Sequence, residues 1–127
     1  MATDPGTTQD LEDAMPLLRV ETNTALPDDA TGLSQRLSAQ VADWLGKPEG
    51  YVMVACTHNP AMCFGGSTDA LAYCELKSIG LPEGLTRELS RKLCDALQAE
   101  LGIEPARVYI EFADAPRHFW GTNGTTF

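Results

Sequence analysis

Pro16 stands directly after Met15 and opens the run Pro16-Leu17-Leu18-Arg19-Val20-Glu21-Thr22-Asn23. If Met15 is the initiator, its removal leaves proline with a free secondary amine. While residues 1–15 stay attached, the same nitrogen is an amide and has no useful basicity. A largely apolar pocket disfavours the charged form of such an amine and lowers its pKa. A base brought near the operating pH takes a proton from carbon beside a carbonyl and returns it elsewhere, interconverting keto and enol forms. The chemistry open to this chain turns on where the mature protein begins.

Other chemistries are poorly supplied. Cys56, Cys63, Cys74 and Cys94 show no C-x-x-C spacing, and only His58 and His118 could join them. A zinc site needs ligands clustered at short spacings, so no metal is expected and the cysteines read as buried, reduced thiols. The net charge of −9 argues against a nucleic-acid partner, which calls for a basic face. Asp4, Asp10, Glu12 and Asp13 put −4 into residues 1–15, leaving −5 for residues 16–127. No run of about 18 apolar residues is present, so no membrane span is expected. The acidic N-terminus lacks the basic and apolar regions of a signal peptide, which points to the cytoplasm. Asn123-Gly124-Thr125 matches a glycosylation acceptor, which matters only in a secreted eukaryotic protein.

The elements that must position Pro16 repeat. The 127 residues make one domain, near the size at which oligomerisation helps to bury surface. Residues 17–23 read as a strand. Pro27-Asp28-Asp29 starts a helix in which Leu33, Leu37, Val41 and Leu45 recur at helical spacing, with Trp44 beside them. Gly46 stops it, Pro48 follows, and Tyr51 to Cys56 reads as a buried strand. The second half copies the first: a strand over 71–79, then a helix from Pro82-Glu83 with Leu85, Leu89, Leu93, Leu97 and Leu101 at steps of four. Gly102 stops that helix, Pro105 follows, and Val108 to Phe112 forms the last long strand. Two β-α-β units predict an α+β fold, a four-stranded mixed sheet with both helices on one face. Val52, Val54, Cys74 and Leu76 suggest that both sheet faces are apolar, so the uncovered face is expected to pack against other subunits.

From Pro16 to Phe127 the chain resembles the macrophage migration inhibitory factor (MIF) family of the tautomerase superfamily. The resemblance rests on the Met-Pro start, Thr22-Asn23, Gly46-Lys47-Pro48 with Tyr51, Phe64-Gly65-Gly66-Ser67, Lys77-Ser78-Ile79-Gly80, Arg107-Val108-Tyr109-Ile110 and the ending Asn123-Gly124-Thr125-Thr126-Phe127. It implies a homotrimer of duplicated β-α-β units with active sites between subunits. It implies a cofactor-free tautomerase of the phenylpyruvate or dopachrome type, with residues 1–15 a flexible or removed extension and 16–127 the working domain. Pro16 matches the catalytic base and Lys47 the lysine that holds a substrate carboxylate. Ile79 matches a backbone contact to a small aromatic 2-keto acid, and Tyr109 an aromatic wall from a neighbouring subunit. Tyr51 matches a rim position, and Trp120 and Phe127 join the pocket candidates. The resemblance also leaves open a non-catalytic, cytokine-like protein with a receptor, released without a signal peptide, whose pocket is vestigial.

Several positions depart from the family pattern. Glu111 stands where the best-known member has asparagine, Lys77 replaces a histidine, and Thr122 falls where a pocket-covering tryptophan is common. A carboxylate at 111 facing the pocket would raise the pKa of Pro16 and weaken anionic substrates; pairing with Arg19 would shrink that effect. Phe119 and Trp120 lie just upstream of Thr122 and offer aromatic cover instead. Leu71 occupies the first position of a family C-x-x-C pair, so Cys74 alone cannot form that disulfide. A related decarboxylase or dehalogenase activity would want a pocket arginine, for which Arg19 and Arg117 are the candidates.

Overall fold

Alternation along the first strand sorts its side chains into two environments. In the computed structural model, which describes residues 15–127, β1 (Leu17–Thr22) buries Leu18, Val20 and Thr22 while Arg19 stays exposed. The acidic extension expected at the N-terminus lies, except for Met15, outside the described residues. The chain continues as α1 (Ala30–Leu45), β2 (Met53–His58), β3 (Ala72–Ile79), α2 (Thr86–Leu101) and β4 (Val108–Ala115). A small hairpin, β5 (Gly121–Thr122) and β6 (Thr125–Thr126), follows.

The four long strands order as β2-β1-β3-β4. β1 runs parallel to β2, antiparallel to β3, and β3 runs parallel to β4. Each β-α-β unit thus keeps its parallel pair, and the two units join through the antiparallel β1–β3 pair. The expected mixed sheet is present.

Both helices bury one stripe against the same sheet face. Leu33, Leu37 and Val41 of α1 and Leu89, Leu93 and Leu97 of α2 meet Leu18, Val20, Cys74 and Leu76 from the sheet. Each fully buried leucine contributes up to roughly 1.5–3 kcal/mol relative to exposure, an upper bound given a compact unfolded state. Both helices end on a left-handed glycine, Gly46 at φ 64° and Gly102 at φ 71°, as their sequence positions predict.

The uncovered face is not apolar. Val54, Cys74 and Leu76 all point to the helix side, and Val52 packs against the same core. The opposite parity brings three cross-strand rows to the bare face: Met53-Leu17-Lys77-Ala113, Ala55-Arg19-Glu75-Glu111 and Thr57-Glu21-Tyr73-Tyr109. Two of these rows are dominated by polar and charged side chains, so the expectation of a second apolar face is overturned. Tyr51 also departs, ending a short 3-10 turn (Glu49–Tyr51) before β2 rather than opening the strand.

Side chains at the end of β1 fix the loop that leads into β3. The Thr22 hydroxyl donates to the Leu71 carbonyl at 2.7 Å in a buried setting. Asn23 accepts the Leu71 N–H at 2.9 Å and donates to the Thr68 carbonyl at 2.9 Å. The Thr22-Asn23 pair therefore serves to close the loop onto the sheet.

Candidate active site

Pro16 lies one residue before Leu17, whose neighbours across the sheet are Met53 and Lys77. Its carbonyl accepts the Met53 N–H at 3.0 Å, and its ring is fully buried. Ser78 and Ile79, the last residues of β3, are buried at the same sheet end. The chain then turns at Gly80 in the left-handed region, φ 70°. Lys47 arrives from the other layer: Gly46 ends α1, and the Lys47 N–H donates to the Ala42 carbonyl at 2.9 Å. Lys47 faces Ser78, Gly80 and Leu81 across a cleft of about 290 Å³. One chain thus brings Pro16, Lys47 and Ile79 to one end of the sheet, with Tyr51 in the turn that enters β2 there.

The hairpin springs from the same end, because β4 ends at Ala115 opposite Ile79. Trp120 and Phe127 flank it, and the Phe127 N–H donates to the Trp120 carbonyl at 3.2 Å. Its turn uses Asn123 and Gly124, both at positive φ (51° and 76°), the pattern favoured by two-residue hairpins. Phe119, just before the hairpin, is 84% exposed.

Tyr109 and Glu111 lie elsewhere. Tyr109 pairs with Tyr73, four positions along β3 from Lys77, or roughly 13 Å at strand spacing from the row of Leu17. Neither Tyr109 nor Glu111 lies beside Pro16 of its own chain. The Tyr109 ring instead packs on Phe64, with centroids 4.6 Å apart, and remains 65% exposed. Together with Met62, Cys63, Leu71 and Tyr73 these rings line a groove of about 470 Å³.

Arg107 holds that aromatic pair in place. Its guanidinium donates to the carbonyls of Phe64 at 2.8 Å, Ser67 at 3.1 Å, Asp69 at 3.0 Å and Ala70 at 3.4 Å. It also sits 5.1 Å from the Phe64 ring centroid, a cation–π contact. Sequence reasoning treats Arg107 only as part of a motif. Main-chain acceptors leave no side-chain signature from which this clamp could be read.

Glu111 joins a polar network on the bare face. The Tyr73 hydroxyl donates to Glu111 at 2.8 Å, with Glu75 a second acceptor for the same proton at 3.2 Å. The hydrogen bond to Glu111 is the main cause that pushes the Tyr73 phenol up to about 12, with desolvation and Glu75 adding to it. Arg19 pairs with Glu75 at 3.5 Å, leaving Glu111 to Tyr73. The thiols divide. Burial pushes Cys74 up to about 12, and desolvation also raises the half-buried Cys56 and Cys94, whereas Cys63 is exposed; of the four thiols expected to be buried only Cys74 is.

Residues 15–127 match the family described as Macrophage migration inhibitory factor (MIF). The chain belongs to this family. It is 39% identical over 114 residues to the macrophage migration inhibitory factor of Meriones unguiculatus, covering 89% of this chain and 99% of that protein. The homolog from Brugia malayi is also 39% identical, with the same coverage. Among solved structures, the macrophage migration inhibitory factor homologue from Prochlorococcus marinus superposes with a TM-score of 0.83 at 41% identity, covering 87% of this chain and 98% of that one. The two helices on a mixed four-stranded sheet are the MIF fold. Among the described residues no helix is long and apolar enough to cross a membrane.

Proposed function

We propose that this MIF-family protein is a cofactor-independent keto–enol tautomerase of the phenylpyruvate or dopachrome type, with Pro16 as general base once residues 1–15 are absent. The observation that carries this reading is that Pro16, Lys47 and Ile79 lie at one end of the sheet, where Lys47 lines a cleft with Ser78, Gly80 and Leu81. Pro16 takes a proton from the carbon beside the substrate carbonyl and returns it elsewhere. Lys47 holds the carboxylate of a small aromatic 2-keto acid, and the Ile79 main chain contacts the substrate. Tyr51, Trp120 and Phe127 form the rim. Tyr109 and Glu111 come from a neighbouring copy in a homotrimer, a role supported by the exposure of Tyr109 and its distance from its own Pro16. The match beginning at Met15, with relatives covered over 99% of their length, supports residues 16–127 as the working domain. We place the protein in the cytoplasm.

A second reading has its own observation. In the 127-residue chain the Pro16 nitrogen is an amide, and Met15 is only 9% exposed. A chain that keeps residues 1–15 would work as a non-catalytic, cytokine-like binding protein with a receptor. Phenylpyruvate tautomerisation by the full chain and by a chain starting at Pro16, each verified by intact mass, separates the two. The shorter chain should be about 10²–10⁴-fold faster, the size of a general-base contribution. Equal rates with an intact N-terminus exclude Pro16 as the base.

A further inference from the structure

The cleft opposite Lys47 is walled by a turn that has few internal hydrogen bonds of its own. β3 ends at Ile79, Gly80 takes a left-handed φ of 70°, and Leu81, 7% exposed, leads into Pro82. Their N–H groups point out of the β3–β4 ladder. Both find one acceptor. Asp114 Oδ1 on β4 accepts the Gly80 N–H at 3.0 Å and the Leu81 N–H at 3.1 Å. The register explains the reach, because Asp114 pairs with Ser78 and Ala115 with Ile79. A carboxylate that accepts two successive N–H groups makes charge-assisted bonds, stronger than neutral ones.

We infer that Asp114 is a positioning residue for the substrate cleft, which it serves by clamping the Gly80-Leu81 turn that faces Lys47. The inference rests on the tautomerase reading of this cleft. Asp114 does not line the cleft itself; Gly80 and Leu81 do, together with Lys47 and Ser78. A turn released from Asp114 shifts the wall against which a carboxylate held by Lys47 must seat. It also frees the main chain at Ile79, one residue upstream. The consequence falls on substrate binding, while the base at Pro16, on a different strand, is left intact.

The test uses the chain starting at Pro16, which spans the part matched to whole family members. Amide hydrogen exchange comes first and needs no activity: the Gly80 and Leu81 amides should exchange slowly in the unsubstituted chain. Free exchange at both would overturn the clamp. Asp114→Ala should deprotect these two amides and raise KM for phenylpyruvate about tenfold, with kcat changed far less, since loss of a charge-assisted bond carries about that factor. Asp114→Asn, which keeps Oδ1 as a neutral acceptor, should restore protection and most of the KM. A purely structural residue would lower the melting temperature of Asp114→Ala and leave KM where it was, and that result overturns the positioning role. If Asp114→Ala fails to fold, Asp114→Asn and Asp114→Ser carry the same comparison. An inactive unsubstituted chain would sink the tautomerase reading, while the exchange data would still decide whether the clamp exists.

Discussion

Lys47 and Tyr73 show how single side chains can be assigned from their surroundings. Lys47 faces the cleft from the turn after α1, and a charge contact to a non-reacting carboxylate is largely uniform binding. Lys47→Ala should therefore raise KM for a carboxylate substrate more than it lowers kcat, by the roughly 1.5–3 kcal/mol of a charged hydrogen bond. Unchanged kinetics would assign Lys47 to the solvent. Tyr73 offers a pH test. Its hydrogen bond to Glu111 favours the protonated phenol and raises its pKa to about 12. The sign follows: the stabilisation is complete below the ordinary tyrosine value of about 10 and is lost as pH rises through the folded value. Of three tyrosines, one should ionise only near pH 12 by tyrosinate absorbance, and Tyr73→Phe should remove that late step. Glu111→Asn belongs with the proposed trimer. With the carboxylate in a neighbour's pocket, the substitution should lower the apparent pKa of activity and tighten anionic substrates. A pH–rate profile that does not move means that Glu111 is occupied by Tyr73 and turned away from the base.

At the level of elements, the helix ends are the simplest test of what holds the two units in shape. A Cβ on Gly46 or Gly102 would meet nothing within 4 Å, so the cost of alanine there is conformational alone. Gly102→Ala should destabilise the fold by about 1 kcal/mol, the penalty of a left-handed residue that carries a Cβ. The urea midpoint should fall with an unchanged slope. Leucines at steps of four and the glycine stops made both helices legible in the sequence, and with them the duplicated units. The sheet faces were harder to read. Val54, Cys74 and Leu76 signal burial, but burial of one parity says nothing about the other, where Arg19, Glu21, Glu75 and Glu111 sit. Of the site, Pro16, Lys47 and Ile79 were legible together through the family motifs that hold them; their spacing alone does not signal that they share one end of the sheet. The Arg107 and Asp114 clamps were not legible, because their partners are main-chain groups. The Asn123-Gly124 pair is itself a strong hairpin signal, and the glycosylation triplet overlies it.

For the whole molecule, the polar bare face changes what an assembly must satisfy. Glu21, Glu75 and Glu111 outnumber Arg19 and Lys77 there, so copies that meet around this face bring many charges together. Close packing of sheet on sheet is disfavoured. The exposed apolar side chains lie instead on the edge strands, Tyr109 and Met53 at 65% and 66% exposure, and before the hairpin, Phe119 at 84%. A homotrimer built through such edges should scatter light as about three times 13.7 kDa in dilute neutral buffer. A stable monomer would remove the shared pocket. The burial of Met15 and Pro16 bears on timing. Pro16 enters β1, an inner strand bonded on both sides, and its carbonyl is already engaged by Met53. A peptidase needs several extended, unpaired residues around the bond it cuts, and freeing this segment means opening a central strand, close to unfolding the domain. Once folded, the protein shields its own Met15–Pro16 junction. A free Pro16, by initiation at Met15 or by processing, is therefore expected to arise before the strand closes over that bond. Folded full-length protein exposed to an aminopeptidase or to limited endoproteolysis should keep that bond intact, whereas the same chain held in urea should not.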